Sequence, residues 1–135
     1  MEAYPLFRGA YLAMLGEVWE VELPRAWLEA FRAAGPGIIA QCRDEPDAWN
    51  LYRSGESFAF HARDAAHPRC LLDLSARGTF RLRRELRRPQ HRPGTRLLFL
   101  GQGMWVQLWI ESTFRALLRA GVPDADVEVL KRLGL

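Results

Sequence analysis

The feature that most constrains the fold is an internal repeat, because the second half of the chain follows the apolar pattern of the first at an offset of about 59 residues. Leu23, for example, corresponds to Leu82. Each half holds a few strands and one short helix, which is too little to bury its own apolar faces. We therefore expect residues 6–52 and 70–118 to pair in one closed sheet, within a single domain of residues 1–135.

The first half begins with alternating apolar and charged residues in "EVWEVELP". This alternation predicts a half-buried strand with Trp19, Val21 and Leu23 on one face. Pro24 then suits the first turn of a helix, "PRAWLEAFRAA", which we expect to end at Gly35. The stretches "GIIAQC" and "WNLYR" predict two further strands, joined by a turn at "RDEPD".

The second half repeats this order of elements. "TFRLRREL" predicts a strand with Phe80 and Leu82 on its inner face, followed by a short helix, and "LLFLGQGMWVQLW" predicts a hairpin that turns at "GQG". A helical tail over residues 111–135 completes the chain, and Asp124 is the expected N-cap of its last helix. The pattern therefore indicates an α+β protein that is rich in strands.

Charge is concentrated in one stretch, "RLRRELRRPQHRPGTR", which holds seven arginines and one acidic residue although the net charge of the chain is only +3. Residues 1–76 hold seven arginines and eleven acidic residues, a net charge of −4. Arginine suits phosphate because its planar guanidinium makes charge-assisted, often bidentate hydrogen bonds. In the predicted strand Arg81 and Arg83 share the solvent face, and in the predicted helix Arg84, Arg87 and Arg88 share another. We predict that double-stranded DNA is bound by Arg77, Arg81, Arg83, Arg84, Arg87 and Arg88.

Two other interpretations of this basic stretch stay open. The arginines could pair with Glu17, Glu20 and Glu22 of a neighbouring subunit, since the first half of the chain is acidic. They could also form a solvated surface without a partner, because surface charge by itself is a weak indicator of function.

Several motifs resemble the MraZ family of bacterial transcriptional regulators, which are built from two halves of the SpoVT/AbrB swapped-hairpin type. "LFRGAYLAML" followed by "LPRAWLEAF" is similar to the opening of that family, and "GTFRLRREL" with "LLFLGQGMWVQLWIESTF" is similar to its second repeat. Gly101 and Gln102 stand at the family's Val-Gly-Gln turn, and Leu108 and Trp109 at its Leu-Trp pair. The resemblance implies a duplicated swapped-hairpin β-barrel, a homo-oligomer that in this family is a ring, and promoter DNA as the partner.

The family contacts DNA through an Asp-x-x-Gly-Arg loop in each half, and this chain departs from that loop twice. In the first half the Asp, Gly and Arg positions hold Gly16, Trp19 and Glu20, so we expect that loop to repel DNA. In the second half Ser75 and Thr79 replace the Asp and the Arg, while the glycine is kept. Two functions therefore remain: a DNA binder rebuilt on one basic edge, and an oligomeric protein-protein interaction module that has lost DNA binding.

Other sites receive less support from the sequence. No apolar run is long enough for a membrane span and the N-terminus lacks a secretory pattern, so we expect a cytoplasmic protein, associated with the nucleoid if it binds DNA. We expect Cys42 and Cys70 to be reduced. His61, His67 and Cys70 do not match a paired zinc spacing, and their role stays open. We therefore predict no metal, no cofactor, no catalytic residue and no enzymatic activity.

Overall fold

The computed structural model describes residues 6–45, 47–55 and 67–120 of the chain. This part of the chain contains eight strands, two α-helices and one 3₁₀ turn, η1. In chain order they are β1 Ala10–Met14, β2 Glu20–Glu22, α1 Arg25–Ala34, β3 Gly37–Cys42, β4 Ala48–Arg53, β5 Arg69–Asp73, β6 Thr79–Arg81, η1 Arg84–Leu86, β7 Arg96–Gly101, β8 Val106–Ile110 and α2 Glu111–Arg119. The fold is α+β and rich in strands, as the sequence pattern predicts.

The strands form two antiparallel sheets. Six of them lie in the order β1-β7-β8-β4-β3-β5, and the other two, β2 and β6, form a separate ribbon. β2 packs beside β1, and β6 packs beside β5. The prediction of one closed sheet was wrong, because the ladder of backbone hydrogen bonds is interrupted between the ribbon and the larger sheet.

The two halves of the repeat exchange their first strands. β1 of the first half pairs with β7 of the second, and β5 of the second half pairs with β3 of the first. The registers are equivalent, since Ala10 faces Leu100 in one pair while Arg69 faces Gln41 in the other. β4 pairs with β8 and β2 with β6, so each of these strands meets its own counterpart across a pseudo-twofold axis. The internal repeat in the sequence is therefore a repeat of the structure.

The core lies between the larger sheet, the ribbon and α1. Val21 and Phe80 point inward from the ribbon, and Trp27 and Phe31 point inward from α1. Each such fully buried side chain contributes roughly 1.5–3 kcal/mol to stability. A second apolar cluster lies under α2, where the ring of Phe114 meets that of Trp109 at 5.2 Å. α2 ends at Arg119, and the predicted N-cap Asp124 lies outside the described residues.

Two local predictions need correction. Trp19 does not lie in β2, because its backbone has a φ of 64° and belongs to the preceding turn. The predicted helix around residues 84–88 shrinks to the single turn η1, after which Arg87 is extended. Arg88 precedes Pro89, whose ring disfavours helical geometry in the residue before it, so a helix that included Arg88 is disfavoured.

Candidate nucleic-acid interface

The two loops before β2 and β6, residues 16–20 and 75–79, form turns of the same geometry. In the first turn the N–H of Gly16 donates to the carbonyl of Glu20 at 2.8 Å, and the N–H of Trp19 donates to the carbonyl of Gly16 at 3.0 Å. In the second turn Ser75, Gly78 and Thr79 make the equivalent bonds at the same two distances. Trp19 and Gly78 both have positive φ, at 64° and 87°. The two turns therefore share one backbone geometry although their side chains differ.

The two turns lie at opposite ends of the ribbon. The N–H of Leu82 donates to the carbonyl of Trp19 at 2.8 Å, and the N–H of Leu23 donates to the carbonyl of Gly78 at 2.9 Å. About 13 Å of extended strand separates these two bonds. We call residues 16–20 with residues 81–88 the first-turn end of the ribbon, and residues 75–79 with residues 22–29 the second-turn end.

This pairing places most of the predicted arginines beside the first turn. Arg81 lies directly opposite Glu20 in the ribbon, and Arg83 and Arg84 follow at the same end. All three arginines are exposed, as is Arg88. Although these arginines belong to the second half of the chain, the antiparallel pairing of β2 with β6 carries them to the turn of the first half. Arg77 alone lies in the second turn, where it is exposed.

Arg87 differs from the other arginines of the predicted site. Its guanidinium carbon lies 4.4 Å from the centre of the Trp19 ring, a cation–π contact, and the residue is half-buried. The predicted common face of Arg84, Arg87 and Arg88 does not exist, because η1 ends before Arg87. The contact instead lies beside the left-handed backbone of Trp19, a conformation that costs an L-residue about 1–2 kcal/mol.

Glutamates of the same chain partly offset the positive charge at the first-turn end. Arg83 forms an exposed ion pair with Glu85 at 3.3 Å. The pKa of Glu85 is lowered by its backbone hydrogen bond and then by the charge of Arg83. Glu20 and Arg81 face each other in a cross-strand position where the side chains are close. Arg81 and Glu20, whose pairing the sequence suggested between neighbouring subunits, thus already lie on opposite strands of one ribbon within the chain.

An open groove of about 1150 Å³ runs beside the second-turn end, between α1 and the second turn. Arg32 of α1 donates hydrogen bonds to the carbonyls of Ser75, at 3.0 Å, and of Ala76. These bonds tie the second turn to the helix of the first half. The charged residues that line the groove are three acids and three bases: Glu20, Glu22, Glu29, Arg25, Arg32 and Arg77.

A buried polar cluster supports the loop that carries Arg88. His91 is only 4% exposed, its Nδ1 accepts from the N–H of Arg88 at 3.0 Å, and its Nε2 lies 2.7 Å from Oδ1 of Asp47. Asp47 also accepts from Gln90 and from Thr113 of α2. Burial alone would raise the pKa of Asp47, but these hydrogen bonds outweigh it and lower the pKa.

The sequence pattern gives little sign of this cluster. An Asp in a turn that tolerates positive φ was the only available signal, and Asp47 does have a φ of 64°. Its partners are separated from it by 44 and 66 positions for His91 and Thr113, so no local pattern reveals them.

The cysteines and the remaining histidine form no combined site. Cys42 in β3 and Cys70 in β5 are free and half-buried, and burial raises the pKa of both thiols. His67 contacts Asp44 at 2.7 Å, and His61 lies outside the described residues. Within residues 6–45, 47–55 and 67–120, no group of three or more candidate ligands could hold a metal ion. In the same residues, no helix is long and apolar enough to cross a membrane.

Comparison with known proteins adds no relative: no family model matches the chain, and no curated protein matches it. What the chain does is therefore inferred from its own residues and their geometry.

Proposed function

We propose that the chain is a DNA-binding transcriptional regulator of the MraZ type that has diverged at both DNA-contacting loops. The observation that carries this proposal is the convergence of exposed arginines on one turn of the ribbon. Arg81, Arg83, Arg84 and Arg88 reach that turn from the other half of the repeat. Several guanidinium groups on one solvent-facing edge suit the closely spaced phosphates of a duplex.

The proposal includes a duplicated swapped-hairpin arrangement, and the exchange of first strands supports it. β1 and β5 each leave their own half to complete the sheet of the other, in equivalent registers. The equivalent turns before β2 and β6 support the same relationship, because both keep the backbone hydrogen bonds of one loop type. A regulator of this kind would have no enzymatic activity and would act in the cytoplasm, on the nucleoid.

A duplex titration at about 50 and 200 mM salt tests the DNA-binding function, since a phosphate-driven complex weakens steeply as salt rises. Changing both Arg81 and Arg83 to Ala should reduce the slope of log affinity against log salt by about 2. The control is Arg119→Ala, an exposed arginine on α2, which should leave the slope unchanged. Affinity that is absent, or that is the same at both salt concentrations, would refute DNA binding.

A second candidate function, an oligomeric interaction module, is favoured by the two edge strands of the larger sheet. Leu12 in β1 is 48% exposed, and Leu71, at the equivalent position of β5, is 54% exposed. Exposed edges with apolar side chains invite pairing with a second copy of the chain. Light scattering distinguishes the two functions when it is combined with the titration: an oligomer without DNA affinity is the result expected of the module.

A further inference from the structure

The pseudo-twofold axis allows the two ends of the ribbon to be compared position by position. Arg84 begins η1 at the first-turn end, and Arg25 begins α1 at the second-turn end. Both arginines are exposed, and neither forms an ion pair with another described residue. They are therefore the same residue type at equivalent positions, and they differ only in what surrounds them.

The surroundings differ in charge. The first-turn end holds five arginines and three glutamates, whereas the second-turn end holds two arginines and two glutamates and is joined by one further arginine, Arg32 of α1, whose guanidinium is bound to carbonyls of the second turn. Four of the five arginines at the first-turn end are exposed, and an array of several positive charges is what a phosphate backbone requires. At the second-turn end Glu22 and Glu29 are exposed beside Arg25, and they would repel phosphate.

The packing of the two turns differs as well. At the second-turn end Leu28 packs against Gly78, and its Cδ2 would lie 3.0 Å from a Cβ at that glycine. At the first-turn end the equivalent positions hold Arg87 and Trp19, in the cation–π contact. Where α1 packs a leucine against the second turn, the first-turn end thus has an arginine against Trp19, which adds positive charge to that end.

We infer that the chain contacts duplex DNA through the first-turn end alone, so that one composite edge, made of the first half's turn and the second half's arginines, carries all of its phosphate contacts. This inference rests on the proposed DNA-binding function. It goes beyond that function because the family loop would allow an equal contact in each half, and here recognition becomes one-sided.

The start of α1 at the second-turn end would favour phosphate binding there. α1 begins there, and the free N–H groups at the start of a helix favour anions. If those groups and Arg25 outweigh the glutamates, the second-turn end will also bind phosphate.

The experiment compares Arg84→Ala with Arg25→Ala in the full chain, using fluorescence anisotropy of a short labelled duplex of mixed sequence. At about 50 mM salt we expect Arg84→Ala to lower affinity about fivefold and the salt slope by about 1, while Arg25→Ala stays within about twofold of the unsubstituted chain. Arg84→Lys should keep the slope, because it keeps the charge. Thermal unfolding monitored by circular dichroism confirms that each variant is folded.

The outcomes distinguish a failure of the one-sided contact from a failure of DNA binding itself. Equal losses in Arg84→Ala and Arg25→Ala would overturn the one-sided contact and leave DNA binding intact. Full affinity in Arg84→Ala would also overturn it, because the contact would then lie elsewhere. If the unsubstituted chain shows no salt-dependent affinity for the duplex, the proposed function fails and this inference fails with it.

Discussion

Two Asp–His pairs, whose aspartates lie three residues apart, allow the contribution of burial to the free energy of unfolding to be measured. His91 and Asp47 lie 2.7 Å apart with side chains 3% and 18% exposed, and His67 and Asp44 lie 2.7 Å apart with side chains 29% and 95% exposed. The distances are the same and the solvent exposure is not. Asp47→Ala and Asp44→Ala therefore form a matched pair of substitutions.

The expected cost of Asp47→Ala follows from its contacts. Because Nδ1 of His91 accepts from the N–H of Arg88, Nε2 carries the proton, and losing its acceptor costs about 1–3 kcal/mol for a buried donor. The bond from Thr113 contributes about 1 kcal/mol more. Alanine at a φ of 64° is also strained, by about 1 kcal/mol. We expect a total loss of about 3–5 kcal/mol, against at most about 1 kcal/mol for the exposed Asp44.

Urea unfolding measures both losses. With a denaturant slope of about 2 kcal/mol/M, typical of a small domain, Asp47→Ala should lower the midpoint by about 2 M and Asp44→Ala by at most about 0.5 M. Asp47→Asn should fall between them, because Asn tolerates the left-handed turn and keeps one acceptor oxygen. If the losses in Asp47→Ala and Asp44→Ala agree to within about 1 kcal/mol, the buried cluster does not stabilise the fold as argued.

Three further predictions concern charge, assembly and pH. Glu20→Arg should raise duplex affinity and steepen its salt dependence. It should cost a little stability, because two arginines would then face each other in the ribbon. Unchanged affinity at low salt would place the first turn away from DNA. If the edge strands associate, Leu12→Lys with Leu71→Lys should shift the chain toward monomer in light scattering, whereas an unsubstituted chain that is already monomeric at micromolar concentration would refute assembly. The lowered pKa of Asp47 means that its stabilising contribution is complete above its unfolded value, near 3.9, and is lost as pH falls through the lower folded value. Unfolding of Asp47→Asn should therefore change less than that of the unsubstituted chain between about pH 5 and pH 2, and equal changes would contradict the role of Asp47.

Local elements were predictable from the sequence because their signals are local. The alternation around Val21 and Phe80 and the apolar spacing of Trp27 and Phe31 reflect one buried face of a strand and of a helix, and the structure confirms both. Trp19 continues the same alternation, and its pattern alone does not distinguish a strand residue from a residue in a left-handed turn.

The position of the candidate site depended on contacts that no local pattern contains. The repeat predicts that the halves pair, but the antiparallel register of β2 with β6 decides which turn the arginines join. Once Glu20 lies opposite Arg81, Leu82 must follow beside Trp19, and the arginines that come directly after it in the sequence must lie at the first-turn end. Most arginines of the second half therefore lie beside the turn of the first half, which their position in the sequence does not indicate.

The arginines at the first-turn end are not equivalent as phosphate ligands, because their neighbours within the chain differ. Arg83 is paired with Glu85 and Arg87 is stacked on Trp19, so a phosphate would have to compete with an existing contact at each of these two. Arg81 lies opposite Glu20 in the ribbon, whose negative charge would oppose a phosphate there. Arg84 and Arg88 have no carboxylate partner among the described residues, and both are exposed. Under the proposed function, single alanine substitutions should therefore lower duplex affinity most at Arg84 and Arg88 and least at Arg87, whose side chain is half-buried against the ring of Trp19. The reverse order in the same titration would mean that the stacked arginine, rather than the exposed ones, meets the DNA.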